Sequence, residues 1–231
     1  MTKISSGNSD FDNWLNGGYE DDVITTIYGP AGSGKTNLCL IAASEAAKKG
    51  KKVIYIDTEG GFSIARLEQV SDRKIAKNIL IYKVTDFKEQ REAFNKLIDN
   101  TKDIGLIVVD SMAMQYRLEL GNANSEKNDM KIKMINRALS RQLRILNEIA
   151  RKKQIPVLVT NQVYSDFNDR EKVNMVGGDI LKYWSKCLIE LKKVGAGRRK
   201  AILRKHRSLP EKEFSFVIND KGINKSGFGF F

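Results

Sequence analysis

The sequence predicts an α/β fold: a mainly parallel central sheet flanked by helices, closed by antiparallel strands at the C-terminal end. Three observations predict it. Strand-like and helix-like periods alternate from Val23 to Asn161, and short strand-like runs then follow one another. The run Leu106–Asp110 is apolar up to its terminal carboxylate, as expected of a strand covered on both faces. A glycine-rich turn, Gly29-Pro30-Ala31-Gly32-Ser33-Gly34-Lys35-Thr36, joins the first strand to the first long helix.

Val23–Tyr28 is the first strand, a β-branched apolar run. Lys35–Lys49 follows as an Ala- and Leu-rich helix stopped by Gly50. Val53–Asp57 and Ile79–Val84 are the second and third strands, and Phe87–Asp99 is helical, with Phe94, Leu97 and Ile98 on one side. Leu106–Asp110 is the fourth strand. Asp129–Lys153 carries the clearest helical period, through Ile132, Ile135, Leu139, Leu143, Leu146 and Ile149. Ile155–Asn161 is the fifth strand, and Cys187–Lys192, Ala201–Arg204 and Phe214–Ile218 close the sheet. Turn signals at Gly195–Gly197 and Asp220–Gly222 divide or end them. Gly121–Asn128 and Ser165–Gly178 are polar and irregular and read as mobile loops.

Composition narrows the function. Hydrophobic residues make up 41% and charged residues 29% of the 231 residues, which suits a globular chain with a sizeable core. No apolar run is long enough for a membrane span, and the N-terminus has no signal-peptide core. Cys39 and Cys187 stand alone in apolar surroundings, as buried thiols of a reducing cytoplasm do. His206 is the only histidine, which argues against an imidazole zinc site. The net charge of +12 is concentrated. Lys182–Arg207 holds ten Lys/Arg and the single acid Glu190, and Lys131–Lys153 holds eight and the single acid Glu148, so the remainder is net negative. Clustered basic charge attracts polyanions, nucleic acid foremost. A solvated, lysine-rich surface is the alternative reading of the same charge.

The glycine-rich turn matches G-x-x-x-x-G-K-[ST] in full, with the strand and helix the motif requires on either side. Its glycines let backbone N–H groups curl around phosphates, and the following helix adds its positive end. Gly29 through Asn37 are therefore expected to hold ATP. Lys35 supplies a charge to the β and γ oxygens in binding and in catalysis, and the Thr36 hydroxyl ligates Mg2+. Asp110 ends an apolar strand and is expected to hold the same magnesium. Glu59 follows the second strand. If that strand is parallel and adjacent to the first, Glu59 emerges beside the phosphates, where a carboxylate can polarise the attacking water. The alternative for Glu59 is a cap for a helix starting near Ser63. Gln162, just after the fifth strand, can detect a γ-phosphate by hydrogen bonding.

Taken together these segments resemble the RecA/RadA recombinase family. The resemblance runs through Tyr28–Thr36, Ile56–Gly60 with Phe62 and Arg66-Leu67, Val109–Ser111, Tyr116-Arg117, Thr160–Val163, Gly177-Gly178 with Ile180-Leu181, and Leu209-Pro210-Glu211. Its nearest likeness within the family is to archaeal paralogues reduced to the ATPase core. The resemblance implies a RecA-like core in which Glu59 activates water, Gln162 senses the γ-phosphate and Arg66 packs on adenine. It implies two DNA-binding segments, one after Asp110 through Arg117 to about Asp129 and one from Tyr164 to Val176. Tyr164, Phe167, Arg170 and Lys172 suit the second, since aromatics stack on bases while cations meet phosphates. It further implies a weakly hydrolysing accessory of recombination and repair. Its partners would be single- or double-stranded DNA, the main RadA-type recombinase, a Holliday-junction nuclease, or further copies of itself.

The first strand begins near Val23, so the expectation is one core over residues 1–231, without an N-terminal helical DNA-binding domain and without strand exchange of its own. Lys205 stands near where the family usually has an acid, and a cation there could act on a neighbouring protomer's γ-phosphate. Two other functions compete: an ATP-switch adaptor working through protein partners without DNA, and a KaiC-like P-loop kinase. The polar, basic loops make a poor closed acceptor pocket for a kinase.

Overall fold

The computed structural model describes residues 3–99, 103–165 and 173–226. Strands β1 (Lys3–Ile4) and β2 (Tyr19–Glu20) pair antiparallel around helix α1 (Ser9–Trp14). Asn8 caps α1 by accepting from the Phe11 N–H, and its Nδ2 donates to the Ile223 carbonyl. Phe11 meets Phe214 edge-on at 5.3 Å and packs 4.9 Å from Trp14, so the first residues seal the far end of the sheet.

The chain then runs β3 (Ile24–Gly29), α2 (Lys35–Lys48), β4 (Lys52–Asp57), α3 (Ile64–Val70), a 3₁₀ turn (Arg73–Asn78), β5 (Ile79–Lys83), α4 (Phe87–Asp99) and β6 (Ile104–Asp110). Helices α5 (Met114–Ser125) and α6 (Asp129–Lys153) lead to β7 (Val157–Ser165), β8 (Val173–Met175) and α7 (Gly178–Trp184). Strands β9 (Cys187–Gly195), β10 (Arg198–Lys205), β11 (Lys212–Asn219) and β12 (Gly222–Lys225) complete it.

The sheet order is β12-β11-β10-β9-β3-β7-β6-β4-β5, with β8 paired to β7. From β5 to β9 neighbours are parallel; from β9 to β12 they are antiparallel. One core layer lies under α1, α2 and α3, and the other under α4 to α7. Among the described residues no helix is long and apolar enough to cross a membrane. The predicted RecA-like fold class, a parallel sheet with an antiparallel extension, is what the chain adopts.

Three local expectations are corrected. Strand β4 is not beside β3, because β6 and β7 lie between them. Gly121–Ser125, expected to be loop, is the last turn of α5. Ala123 is fully buried there, and the Asn128 N–H closes the turn on the Ala123 carbonyl. Packing between α5 and α6 outweighs the low helix propensity of Gly and Asn. The second expected loop is partly structured as well: β8 and the start of α7 occupy its C-terminal end. Gly177 is needed at that junction. Its φ is +61°, and a Cβ would sit 3.2 Å from Leu139 Cδ2 and 3.4 Å from Tyr116 Cε1.

Candidate nucleotide and metal site

Register decides which side chains meet. Gly29, the last residue of β3, lies opposite Gln162 on β7, and Ile27 lies opposite Thr160. Asp57 on β4 lies opposite Asp110 on β6. Because these strands are parallel, all their C-terminal ends open on one sheet edge, which is where such sheets bind ligands.

The turn Gly29–Thr36 wraps the start of α2. Gly32 and Gly34 have φ of +71° and +105°, and Gly34 occupies the helix N-cap with no side chain to cap it. The first N–H groups of α2 therefore point into the turn without helical partners, a ready anion site. Lys35 is only 7% exposed, and its Nζ donates to the carbonyls of Gly29 at 2.9 Å and Pro30 at 3.0 Å. Burial lowers its pKa, and Glu59 and Asp110 oppose that shift. An ammonium curled back on its own loop is poised to turn toward a phosphate. The Ser33 hydroxyl and Asn37 Nδ2 are buried with no protein partner among the described residues.

Asp110 sits among hydroxyls. Tyr55 donates to its Oδ2 at 2.9 Å, and Thr160 and Thr36 also hydrogen-bond its carboxylate. Burial raises its pKa, and those three hydrogen bonds pull it back down. A Cβ on Gly61 would stand 3.4 Å from Thr36 Oγ1 and 3.8 Å from Asp110 Oδ2. The hydroxyl, the carboxylate and this side-chain-free space form an oxygen-lined cradle suited to a hard cation such as Mg2+.

Asp57 organises the loop that follows β4. Its carboxylate accepts from the N–H groups of Gly61 at 3.0 Å, Phe62 at 3.1 Å and Glu59 at 3.3 Å. Thr58 Oγ1 donates to the Ser111 carbonyl at 2.8 Å and accepts from the Ser111 N–H at 2.9 Å, tying the ends of β4 and β6 together. Glu59 is thereby presented to Gln162, whose Nε2 lies 3.0 Å from both carboxylate oxygens. Glu59 is thus a member of this cluster although β4 and β3 are not neighbours, and Ser63 itself caps α3 by accepting from the Arg66 N–H.

Ala31, Gly32, Lys35, Thr36, Glu59 and Gln162 line a cavity of about 340 Å³, and Asn37 and Arg66 stand at its other end. Arg66 Nε donates to Asn37 Oδ1 at 2.8 Å, and its terminal nitrogens reach Gln69 and the carbonyls of Asn219, Asp220 and Gly222. These bonds fix the orientation of its guanidinium at that end of the cavity.

Of the expected DNA-contacting residues, Arg117 is exposed on α5 and Tyr164 is half exposed on β7, opposite Asn174 of β8. Phe167, Arg170 and Lys172 lie outside the described residues. Lys205 lies at the opposite sheet edge from Gly29, where its Nζ donates to the Lys182 carbonyl at 2.8 Å.

Several supporting residues escaped sequence reasoning. Tyr55 acts through a partner distant in sequence and no local pattern marks it, while Thr58 and Thr160 lie in segments that carry the resemblance but had no role read for them. Arg199 is another. It stands at the base of the β9–β10 turn, packs its side chain on Gly34 and reaches the Gly32 carbonyl at 3.4 Å. Only its place in a basic run pointed to it.

A model of the Rad51 family matches residues 1–226. The chain is 42% identical over 228 residues to "DNA repair and recombination protein RadB" of Methanobrevibacter smithii, spanning 94% of this chain and 93% of that one. It is 43% identical over 217 residues to the protein of the same name from Methanococcoides burtonii, spanning 92% and 93%. Among solved structures it resembles one titled "Crystal structure of the RadB recombinase", with a TM-score of 0.78 and 36% identity over 97% of this chain and 100% of that one.

Proposed function

The chain belongs to the Rad51 family, within its RadB group, and from that premise we propose that it is a cytoplasmic ATP- and DNA-binding accessory of homologous recombination and repair that hydrolyses ATP slowly. The observation that carries this reading is the contact of Gln162 with Glu59 beside Lys35 and Thr36 in one cavity. In this reading the core over residues 1–231 acts as one unit.

Gly29 to Asn37 take up the triphosphate through backbone N–H groups, and Lys35 leaves the Gly29 and Pro30 carbonyls for the β and γ oxygens. Thr36 and Asp110 fit Mg2+, which when bound neutralises charge on those oxygens. Glu59 accepts hydrogen bonding from the attacking water and aligns it with the γ-phosphorus. Gln162 exchanges its bond to Glu59 for one to the γ-phosphate. Since Gln162 and Tyr164 share β7, that exchange alters the strand leading to residues 165–172. Arg66 offers its fixed guanidinium to the base.

DNA is met by Arg117, Tyr164, Phe167, Arg170 and Lys172 and by the basic C-terminal strands. The main RadA-type recombinase, a junction nuclease and further copies of the chain are the proposed protein partners. Fluorescence anisotropy on labelled single- and double-stranded oligonucleotides, with and without ATP and magnesium, tests the reading. ATP-dependent binding with release of free phosphate supports it. Binding of neither nucleotide nor DNA refutes it, and transfer of the γ-phosphate to an acceptor would favour the kinase.

A further inference from the structure

A second cavity lies away from the nucleotide site, in the groove between α4 and α6. Its volume is about 410 Å³, within the roughly 300–1,000 Å³ range of ligand pockets. Phe87, Phe94, Ile135 and Ile145 form its floor. Met134 stands at its mouth, 64% exposed, and Met130 one turn earlier on α6 is 72% exposed. Two neighbouring methionines facing water on one helix face are unusual for a surface with no binding role, and methionine is the side chain that adapts best to varied apolar partners.

Three arginines rim the groove: Arg91 on α4, and Arg137 and Arg141 one helical turn apart on α6. Among the described residues the cavity's one acidic lining side chain is Glu119, and it is engaged by Lys131 at 3.6 Å. The rim is therefore a cationic fork with little local counter-charge.

Inside, Gln142 is 2% exposed and lines the cavity. Its Oε1 accepts from Gln90 Nε2 at 2.8 Å, while Gln142 Nε2 and Gln90 Oε1 are buried without a partner among the described residues. Gln90 also reaches the Met112 carbonyl at 3.3 Å, which helps fix the amide pair.

We propose that this groove docks an acidic peptide segment of a partner protein. One large apolar side chain of that segment enters between Met134 and Phe94, and flanking Asp or Glu residues pair with Arg91, Arg137 and Arg141. Nucleic acid would satisfy the arginines, but it would leave the apolar floor and the two methionines uncovered. The inference is independent of nucleotide binding, since none of these residues lines the ATP cavity.

Selection of a random displayed peptide library on the immobilised full chain tests it. The expected binders carry a Leu, Phe or Met flanked by acidic residues. As fluorescein-labelled synthetic peptides they should lose about tenfold or more in affinity to an Arg137→Glu/Arg141→Glu variant. Met134→Ser should weaken them too. Thermal melts and ATP titrations on each variant check that the fold is intact, and Arg137→Ala/Arg141→Ala replaces the charge reversal if that variant does not fold. Enriched peptides that lack acids, or that bind every variant as they bind the parent chain, overturn the proposal. So does a result in which no peptide is enriched and the same variants instead lose affinity for an oligonucleotide duplex.

Discussion

Gln162 Nε2 stands 3.0 Å from each carboxylate oxygen of Glu59, so β7 and the loop after β4, a strand that is not its neighbour, share one charge-assisted contact beside the phosphate loop. Replacing Glu59 by Gln keeps the shape and removes the basicity. ATP affinity should stay within about twofold while phosphate release falls by roughly 10²–10⁴-fold. Gln162→Ala should leave ATP bound but erase any difference between ATP and ADP in DNA affinity. Calorimetry and phosphate release on the same preparations check both.

Gly61 faces the cradle between Thr36 and Asp110. In Gly61→Ala the added methyl would sit 3.4 Å from Thr36 Oγ1. The fold should persist, while the magnesium concentration needed for half-maximal ATP binding rises by about tenfold, equivalent to about 1.4 kcal/mol. A magnesium titration at fixed ATP measures it. An unchanged midpoint would place the metal elsewhere.

Acidification should release magnesium earlier than an ordinary carboxylate would allow. Burial raises the Asp110 pKa, and the Tyr55 hydroxyl is one of the bonds holding it down. A carboxyl whose folded pKa lies above its unfolded value costs stability above that pKa, and the cost is relieved as pH falls through it. Metal binding, which needs the carboxylate, is lost over the same fall. Tyr55→Phe removes a stabilising donor, so magnesium-dependent ATP binding should fail at a higher pH than in the parent chain. Titrations across pH 4–8 resolve the order.

DNA affinity should depend steeply on salt and little on sequence. About four phosphate contacts on a single strand imply a loss of roughly fiftyfold between about 50 and 200 mM salt. Arg117→Ala should lower affinity and shallow the slope. Anisotropy over a salt series checks this, and a flat dependence would count against the charged surface as the contact.

The sequence displayed the strands that enter the site because each is a mostly apolar run ending in polar residues: Asp57, Asp110 and Thr160-Asn161-Gln162. It displayed the phosphate loop because the motif carries its own geometry. Sheet order was not legible. Glu59 stands at the same sheet edge as the Gly29–Thr36 turn although β4 and β3 are not neighbours, since parallel strands share an edge whichever order they take. The last turn of α5 was hidden because Gly121, Asn122 and Asn124 favour turns on their own, and only packing against α6 makes them helical. The hydroxyls around Asp110 were hidden because their grouping depends on register between strands about fifty residues apart.

The most direct test of the account is a calorimetric titration of the chain with ATP, with and without magnesium, beside Lys35→Ala. Lys35 holds the carbonyls of its own loop until a phosphate takes their place. The account predicts one magnesium-dependent site per chain, weakened by about 100-fold or more in Lys35→Ala, which forfeits a charge-assisted contact at a buried position. Equal affinity in the two proteins, or binding indifferent to magnesium, would contradict it.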